Sequence, residues 1–443
     1  MLDEVRQRLD DPTARGLASA VSRAVREGAL EVGARLPPIR TVAAELGLSP
    51  TTVSAAWSLL ARAGTIRTDG RRGTTVADRQ RTGSPRYQRA LDRTSAFRLD
   101  LSTGVPDPAL LPDLSRAVAS LRGAAATPGS YLDAPVVPEL ADLLLADWPY
   151  APDELTVVDG AMDGLELVTR VLVEVGDRVA VEHPGFPPLL DLLEAHGATV
   201  IGIPVDREGM SADALRAAGR VGAVYLQPRA QNPTGVSLSS ERAEELARVT
   251  RRWNAVVVED DSSGAVASAE PVSLGTRAPD RTVHIRSFAK SHGPDLRLAA
   301  LSAPAELAAR ITMLRQLGQG WSSRLLQRVL LALLTDASAG RTVARARDAY
   351  AERRALLVDA LASEDIAVGG TDGINIWVPV GDETATVVRL ASRGIGVAPG
   401  APFAVLPGQA PHVRVTAGLL AADHAAVAQA IADAARGAVR ISV

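Results

Sequence analysis

The rhythm of apolar and polar positions changes twice along this 443-residue chain. Over the first 76 residues it is helical. Residues 13–27 set Leu17, Val21 and Val25 on one face and stop at Gly28, which predicts a helix. Pro37 and Pro38 open a second short helix, IRTVAAELG, closed by Gly47. After the turn Gly47-Leu48-Ser49, residues 50–63 predict a third helix, with Ser49 as its N-cap and Pro50 in its first turn. The β-prone runs 65–68 and 74–76 flank Asp69-Gly70-Arg71-Arg72-Gly73, a hairpin with a basic, glycine-rich tip. Three helices and such a hairpin make a winged helix-turn-helix, placed at residues 1–76.

Residues 77–98 lose the rhythm and are rich in arginine, so they read as a linker, partly helical at most. As flexible coil such a linker spans roughly 25 Å, and fully extended about 75 Å. From residue 99 onward short apolar runs alternate with helical stretches. Strands are predicted over 155–158, 178–182, 199–204, 221–227, 255–259 and 283–286, and helices over 162–173 and 187–196. This alternation predicts an α/β body, residues 99–443, around a mostly parallel sheet. A long helical zone (about 304–363) precedes strand-like 374–379 and 394–399 and a final helix over 421–436. The body therefore divides into a large part, about 99–310, and a smaller C-terminal α/β part, about 340–443. The fold class expected is multidomain: an α+β head joined to an α/β body.

Composition narrows the chemistry. The chain has no cysteine, which excludes disulfides, thiolate metal sites and a cysteine nucleophile. Its six histidines show no ligand spacing, so no metal site is expected. There is no apolar run of membrane-spanning length and the N-terminus is charged; no membrane partner and a cytoplasmic location are the simple reading. The net charge of −3 hides a head of +7 (residues 1–98) and a remainder of −10. A basic head suits a polyanion. Ser49, Thr51 and Thr52 stand at the N-terminal turn of the third helix, where exposed amides favour phosphate. Arg40, Arg71 and Arg72 add charge. Double-stranded promoter DNA is the partner this predicts; a winged helix used for protein contacts is the alternative.

Of 48 basic residues only one, Lys290, is lysine. Arginine keeps a positive charge but effectively never deprotonates, so it cannot act as an amine nucleophile. A lysine that survives such a bias is a candidate for Schiff-base chemistry with an aldehyde. Lys290 follows a predicted strand, with Ser287 three residues before it and Arg297 seven after, a hydroxyl and a guanidinium suited to a phosphate. Gly160, Ala161 and Met162 lie where a strand gives way to a helix, and small residues there let amides approach a phosphate. Asp260 ends the strand AVVVED, placed to pair with a protonated pyridine nitrogen. Asn232 in QNPTG can donate to a ring oxygen, and Phe186 offers a stacking face. Taken singly, each of these has a structural reading as turn, cap or core; ordered around the only lysine they form a set.

The stretch GARLPPIRTVAAELGLSPTTVSAAWSLLARAGTIRTDGRRGTTV resembles the GntR-type winged-helix repressors, with Arg40, Thr51, Thr52 and Gly73 at DNA-contacting positions. Pro50 and Ser54 replace residues that are commonly basic there, which implies a thinner base readout. Residues 99–443 resemble fold-type I pyridoxal-phosphate aminotransferases through TGVPDP, Tyr131, DGAM, HPGF, QNPTG, EDD, SFAK and VRVT, in that order. The resemblance implies pyridoxal 5′-phosphate (PLP) bound to Lys290, Asp260 at the pyridine nitrogen, Asn232 at the ring hydroxyl and Phe186 stacked on the ring. It also implies Gly160, Ala161, Met162, Ser287 and Arg297 at the phosphate. Tyr131 would reach the phosphate in a second copy, and Arg414, beside Gly104, would hold a substrate carboxylate. Ser262 stands where the family commonly has tyrosine, and YLDAPVVPELADL lacks the usual glycine and arginine. Head and body together resemble the MocR-type regulators. They imply a bacterial, PLP-responsive transcription factor acting as a head-to-tail homodimer and sensing PLP with an amino acid or amine. A working aminotransferase with an appended head is the alternative, and a regulator that has lost PLP is a third.

Overall fold

In the computed structural model, residues 2–31, 33–62, 65–68, 73–76, 86–90, 97–124 and 130–436 are described; Arg71 and Arg72 lie outside them. The head contains helices α1 (Leu2–Arg6) and α2 (Ala14–Arg26), strand β1 (Arg35–Leu36), helices α3 (Ile39–Leu46) and α4 (Pro50–Arg62), and strands β2 (Ile66–Thr68) and β3 (Thr74–Val76). Thr13 caps α2 by accepting the Gly16 N–H. Gly47 closes α3 at φ 67°, a left-handed conformation that costs glycine little. Ser49 Oγ accepts the Thr52 N–H at 3.0 Å and starts α4. Leu17, Val21, Val42, Val53, Trp57 and Leu60 bury the inner faces of these helices. Strand β3 pairs antiparallel with β2 and also with β1, so the wing is three-stranded. At two residues, β1 is too short to leave a periodic signal.

Helix α5 (Arg86–Ala90) lies within the linker, and β4 (Leu99–Asp100) enters the body. Next come α6 (Leu114–Ala124), α7 (Pro138–Ala146), β5 (Glu154–Val158), α8 (Ala161–Leu172), β6 (Arg178–His183), α9 (Pro187–Ala195), β7 (Thr199–Asp206), β8 (Gly209–Met210) and α10 (Ala212–Ala218). They are followed by β9 (Ala223–Leu226), α11 (Ser240–Trp253), β10 (Val256–Asp261), β11 (Thr282–Ser287), α12 (Ala289–His292) and β12 (Ala299–Ala303). These strands form one sheet in the order β5-β12-β11-β10-β9-β6-β7-β8. Only β12 and β8 run against the rest. Strand β12 escaped the sequence reading because Ala-Ala-Leu-Ser-Ala has little β preference; ladders on both of its sides hold it.

Helices α13 (Ala305–Gln316), α14 (Arg324–Thr335) and α15 (Ala337–Ala362) lead to the smaller unit. That unit holds β13 (Ile376–Pro379), α16 (Glu383–Ser392), β14 (Ile395–Gly396), β15 (Ala398–Pro399), β16 (His412–Val415) and α17 (His424–Arg436). The expected single strand over 394–399 is a correction. Ile395–Gly396 pairs with Leu99–Asp100, whereas Ala398–Pro399 pairs with β16 in a different sheet. The run Ile-Gly-Val-Ala is buried throughout, so alternation cannot reveal the switch of partner. Leu101, just after β4, packs among Ile376, Val378, Val413 and Val415 in this unit. The head touches the body through Arg15, which donates to the Gly176 carbonyl at 3.2 Å and pairs with Asp177 at 3.3 Å.

Leu60 is fully buried in the head. Leu60→Ala should cost about 2–5 kcal/mol of head stability, read from denaturant unfolding, because a buried leucine leaves a cavity.

Candidate functional site

Strands β6, β9, β10 and β11 are parallel, so their C-terminal ends gather at one edge of the sheet. A cavity of about 230 Å3 opens there. On one side β5 stops at Val158 and α8 begins at Ala161, with Gly160 as N-cap at φ 95°. A Cβ on Gly160 would lie in ordinary contact with the Arg297 guanidinium, at 3.4 Å, so it is the φ of 95° that calls for glycine here. Arg297 itself has φ 49°, an uncommon left-handed backbone for a non-glycine residue, and donates to the Asp159 carbonyl at 3.4 Å. Ala161, Met162 and Ser287 line the same wall, and Ser287 Oγ accepts the Ala289 N–H at 3.3 Å. Helix-start amides, a hydroxyl and a guanidinium form a cradle for an oxyanion.

At the floor, Lys290 Nζ donates to the Ser262 carbonyl at 3.1 Å and to Ser262 Oγ at 3.2 Å. Burial lowers the pKa of this amine, and the nearby Asp260 and Asp261 carboxylates only partly oppose it. A neutral amine, the nucleophilic form, is thereby more accessible. Asp260 is the penultimate residue of β10 and is buried. Its Oδ2 accepts from Gln227 Nε2 at 2.7 Å, while Oδ1 is buried with no hydrogen-bond partner among the described residues. Burial raises the pKa of this carboxyl, against the hydrogen bond from Gln227 and the charge of Lys290.

Phe186, just before α9, and Asn232, beyond β9, line the opposite wall. Asn232 Oδ1 accepts from Arg414 Nη1 at 3.4 Å. Arg414 comes from β16 in the smaller unit; it also donates to the Ser102 carbonyl and lies over the Phe403 ring, 5.3 Å from its centroid. Gly104, at φ 68°, leaves room for that guanidinium: a Cβ there would lie 3.1 Å from it. Tyr131 does not reach this cavity; it is 90% exposed, its ring 5.8 Å from that of Trp321. Ala90, on the linker helix, and Phe403 also line the cavity. Neither was singled out from the sequence, where a lone alanine or phenylalanine reads as packing.

Beneath the floor lies a buried charge network. His284 Nδ1 is 2.7 Å from Glu259 Oε2, and Arg229 is bidentate to Asp261. Burial alone would raise the Asp261 pKa, but His284 and Arg229 outweigh it and hold the carboxyl well below the usual range. Burial likewise opposes the charged form of His284, and the Asp261 carboxylate 3.8 Å from its Nε2 and the hydrogen-bonded Glu259 overcome it, raising its pKa. Among the described residues no cluster of His, Asp or Glu is placed to hold a metal ion, and no helix is long and apolar enough to cross a membrane.

In the head, Arg40, Ser49 and Thr51 are exposed and Thr52 is half-buried. Ser49 Oγ is engaged with Thr51 Oγ1 at 2.7 Å and Thr52 Oγ1 at 2.8 Å, so it serves the cap as well as the surface. Gly73 sits at φ 89° at the base of the wing, where a Cβ would lie 3.0 Å from the exposed Arg35 guanidinium, a charge the sequence reading passed over.

Residues 13–76 match the gntR family of bacterial regulatory proteins, and residues 98–431 match aminotransferase class I and II. The chain is 36% identical over 404 residues to the vitamin B6 salvage pathway transcriptional repressor PtsJ of Salmonella typhimurium, covering 90% of this chain and 92% of that protein. The chain belongs to the MocR-type transcriptional regulators. This regulator is also 29% identical over 398 residues to the pyridoxine biosynthesis regulator PdxR of Corynebacterium glutamicum, covering 86% of each. It is 26% identical over 381 residues to the probable rhizopine catabolism regulatory protein MocR of Rhizobium meliloti, covering 79% of this chain and 77% of that protein. Its body shares the aminotransferase fold. An α-aminoadipate aminotransferase from Thermus thermophilus superposes with a TM-score of 0.70 at 22% identity, covering 81% of this chain and 96% of that one.

The raised pKa of His284 gives the regulator a pH-dependent stability. Its contribution is fully present below the ordinary imidazole value of 6.5 and is lost as pH rises through the raised value. The unfolding free-energy difference between wild type and His284→Gln should therefore shrink as pH climbs, measured by urea titration at several pH values.

Proposed function

We propose that this MocR-type regulator binds promoter DNA as a head-to-tail homodimer and senses PLP, alone or with an amino acid or amine, in the body cavity. The observation that carries the reading is the chain's only lysine in one cavity with the unpartnered oxygen of Asp260. The residues fit the cofactor. Asp260 Oδ1 lacks a donor among the described residues, which a protonated ring nitrogen supplies, and the start of α8 at Gly160 beside Arg297 suits a phosphate. When bound, PLP supplies an aldehyde for an amine and an electron-withdrawing ring.

In this reading residues 1–76 read DNA, 77–98 connect and 99–443 hold the cofactor. Lys290 is the attachment point, Asp260 and Asn232 hold the ring, and Phe186 stacks on it. Gly160, Ala161, Met162, Ser287 and Arg297 hold the phosphate. Arg414, with Gly104 beside it, takes a ligand carboxylate in bidentate fashion. The exposed Tyr131 reaches the cavity of a second copy. Arg40, Ser49, Thr51, Thr52, Arg71, Arg72 and Gly73 form the DNA surface, and the protein acts in the cytoplasm, where the promoter is. Two relatives named for vitamin B6 salvage and pyridoxine biosynthesis support PLP as the signal.

Helix α5 supplies a route from ligand to head. Ala90 lines the cavity and packs with Phe403 and Trp377. Arg86 donates to Glu194 on α9 at 2.5 Å and to the Ala404 carbonyl at 2.6 Å, so it bridges both units of the body. Closure of the smaller unit on a ligand alters this bridge, and with it the heads. Only a ligand that binds two conformations unequally can shift DNA occupancy. A working aminotransferase is the second reading, favoured by the shared placement of Lys290, Asp260 and Arg414; multiple turnover with an amino acid and a 2-oxo acid would establish it.

The visible spectrum of the purified chain with PLP should show a band that Lys290→Ala removes; its absence from wild type would retire the cofactor reading. Arg40→Ala should weaken binding to promoter DNA and flatten the slope of log affinity against log salt by about 0.9, one phosphate contact. Arg86→Ala should keep the PLP band while the change in DNA affinity on adding PLP falls towards none, measured by fluorescence anisotropy.

A further inference from the structure

In the sequence Gln227 reads only as the polar last residue of the strand predicted over 221–227. It is buried, and it is hydrogen-bonded to three residues that line the cavity, Asp260, Ser262 and Asn232. Its Nε2 donates to Asp260 Oδ2 at 2.7 Å and to Ser262 Oγ at 3.2 Å. Its Oε1 accepts the Asn232 backbone N–H at 2.8 Å, and its own backbone N–H goes to Glu182 Oε2 at 3.0 Å. Lys290 is one hydroxyl further on, through Ser262 Oγ.

The orientation of this amide is dictated by its partners. A backbone N–H can only donate, so the amide oxygen must face Asn232 and the NH2 must face Asp260. A fixed donor therefore occupies one oxygen of Asp260, and the other is left without a partner. Burial pushes Asp260 towards its neutral form, and the hydrogen bond from Gln227 leads the influences that keep it charged. Lys290 and His284 assist, and Asp261 opposes. Glu182 faces the same group from β6; burial pushes its pKa up to about 8, so it is mostly protonated at neutral pH and adds little charge. Gln227 is thus a donor to Asp260 that does not itself titrate.

We propose that Gln227 is a positioning residue: its amide keeps Asp260 ionised and turned so that Oδ1 serves the protonated ring nitrogen of PLP. This rests on the reading that the cavity holds PLP. A positively charged ring nitrogen withdraws electrons and makes the nitrogen joining Lys290 to the cofactor less basic. Without Gln227, Asp260 takes up a proton more readily, the ring nitrogen loses its charged partner, and the joining nitrogen keeps its proton to higher pH.

The test follows the visible band of the full-length chain with PLP against pH, in wild type, Lys290→Ala, Gln227→Met and Gln227→Ala. Methionine has nearly the length of glutamine without its donor, and alanine avoids any overpacking. Both Gln227 variants should move the midpoint upward by about one pH unit and weaken PLP about tenfold. A role in packing alone would leave the midpoint in place. A folded variant that binds PLP with the wild-type midpoint overturns the proposal, and if Gln227→Met fails to fold, Gln227→Ala decides. A wild type with no band that Lys290→Ala removes overturns the cofactor reading, and this inference with it.

Discussion

A parallel sheet delivers its strand ends to one edge, and the chemistry of this protein hangs from that edge. Strands β6, β9, β10 and β11 end side by side, at a spacing of about 4.8 Å. The next few residues are Phe186, Gln227, Asn232 and Lys290, and Asp260 is the penultimate residue of its own strand. Helices cover the sheet, so the strands have no freedom to slide, and the distances between these groups are inherited from the ladder. Arg414 is the exception. It comes from the smaller unit, and its place beside Asn232 depends on how the two units meet.

Charge is layered under that edge. The upper layer, Lys290 and Asp260, opens to the cavity, while the lower layer, Asp261, Arg229, His284 and Glu259, is buried and does not line it. Buried ions are tolerated only when each has its partner, and removing one partner leaves the other stranded. The lower layer therefore acts as a rigid platform. In the upper layer one oxygen of Asp260 has no hydrogen-bond partner among the described residues.

Much of this was legible before any coordinates. Gly47 and Ser49 mark helix ends because capping is local chemistry, and they do so in the structure. Lys290 stood out by count, and the cavity gathers it with Gly160, Ser287, Arg297, Asp260, Asn232, Phe186, Gly104 and Arg414. What stayed hidden is non-local. Gln227 matters because β9 ends beside β10, Ala90 because α5 sets it against the cavity, and β12 because its neighbours pair with it. None of these leaves a mark in the run of residues around it. Tyr131 shows the opposite case: named from its motif, it lies on the surface of its own chain.

The scarcity of lysine has a practical side. An aldehyde that condenses with a side-chain amine in this chain has one address, and that address is inside the cavity. Reducing such a bond with borohydride would fix one label per occupied subunit, with no background from surface lysines. The mass of the intact chain then counts occupancy directly. Because the chain also lacks cysteine, a thiol introduced at any other position would be equally unique. Two orthogonal labels on one molecule, one in the pocket and one on the head, come with the composition.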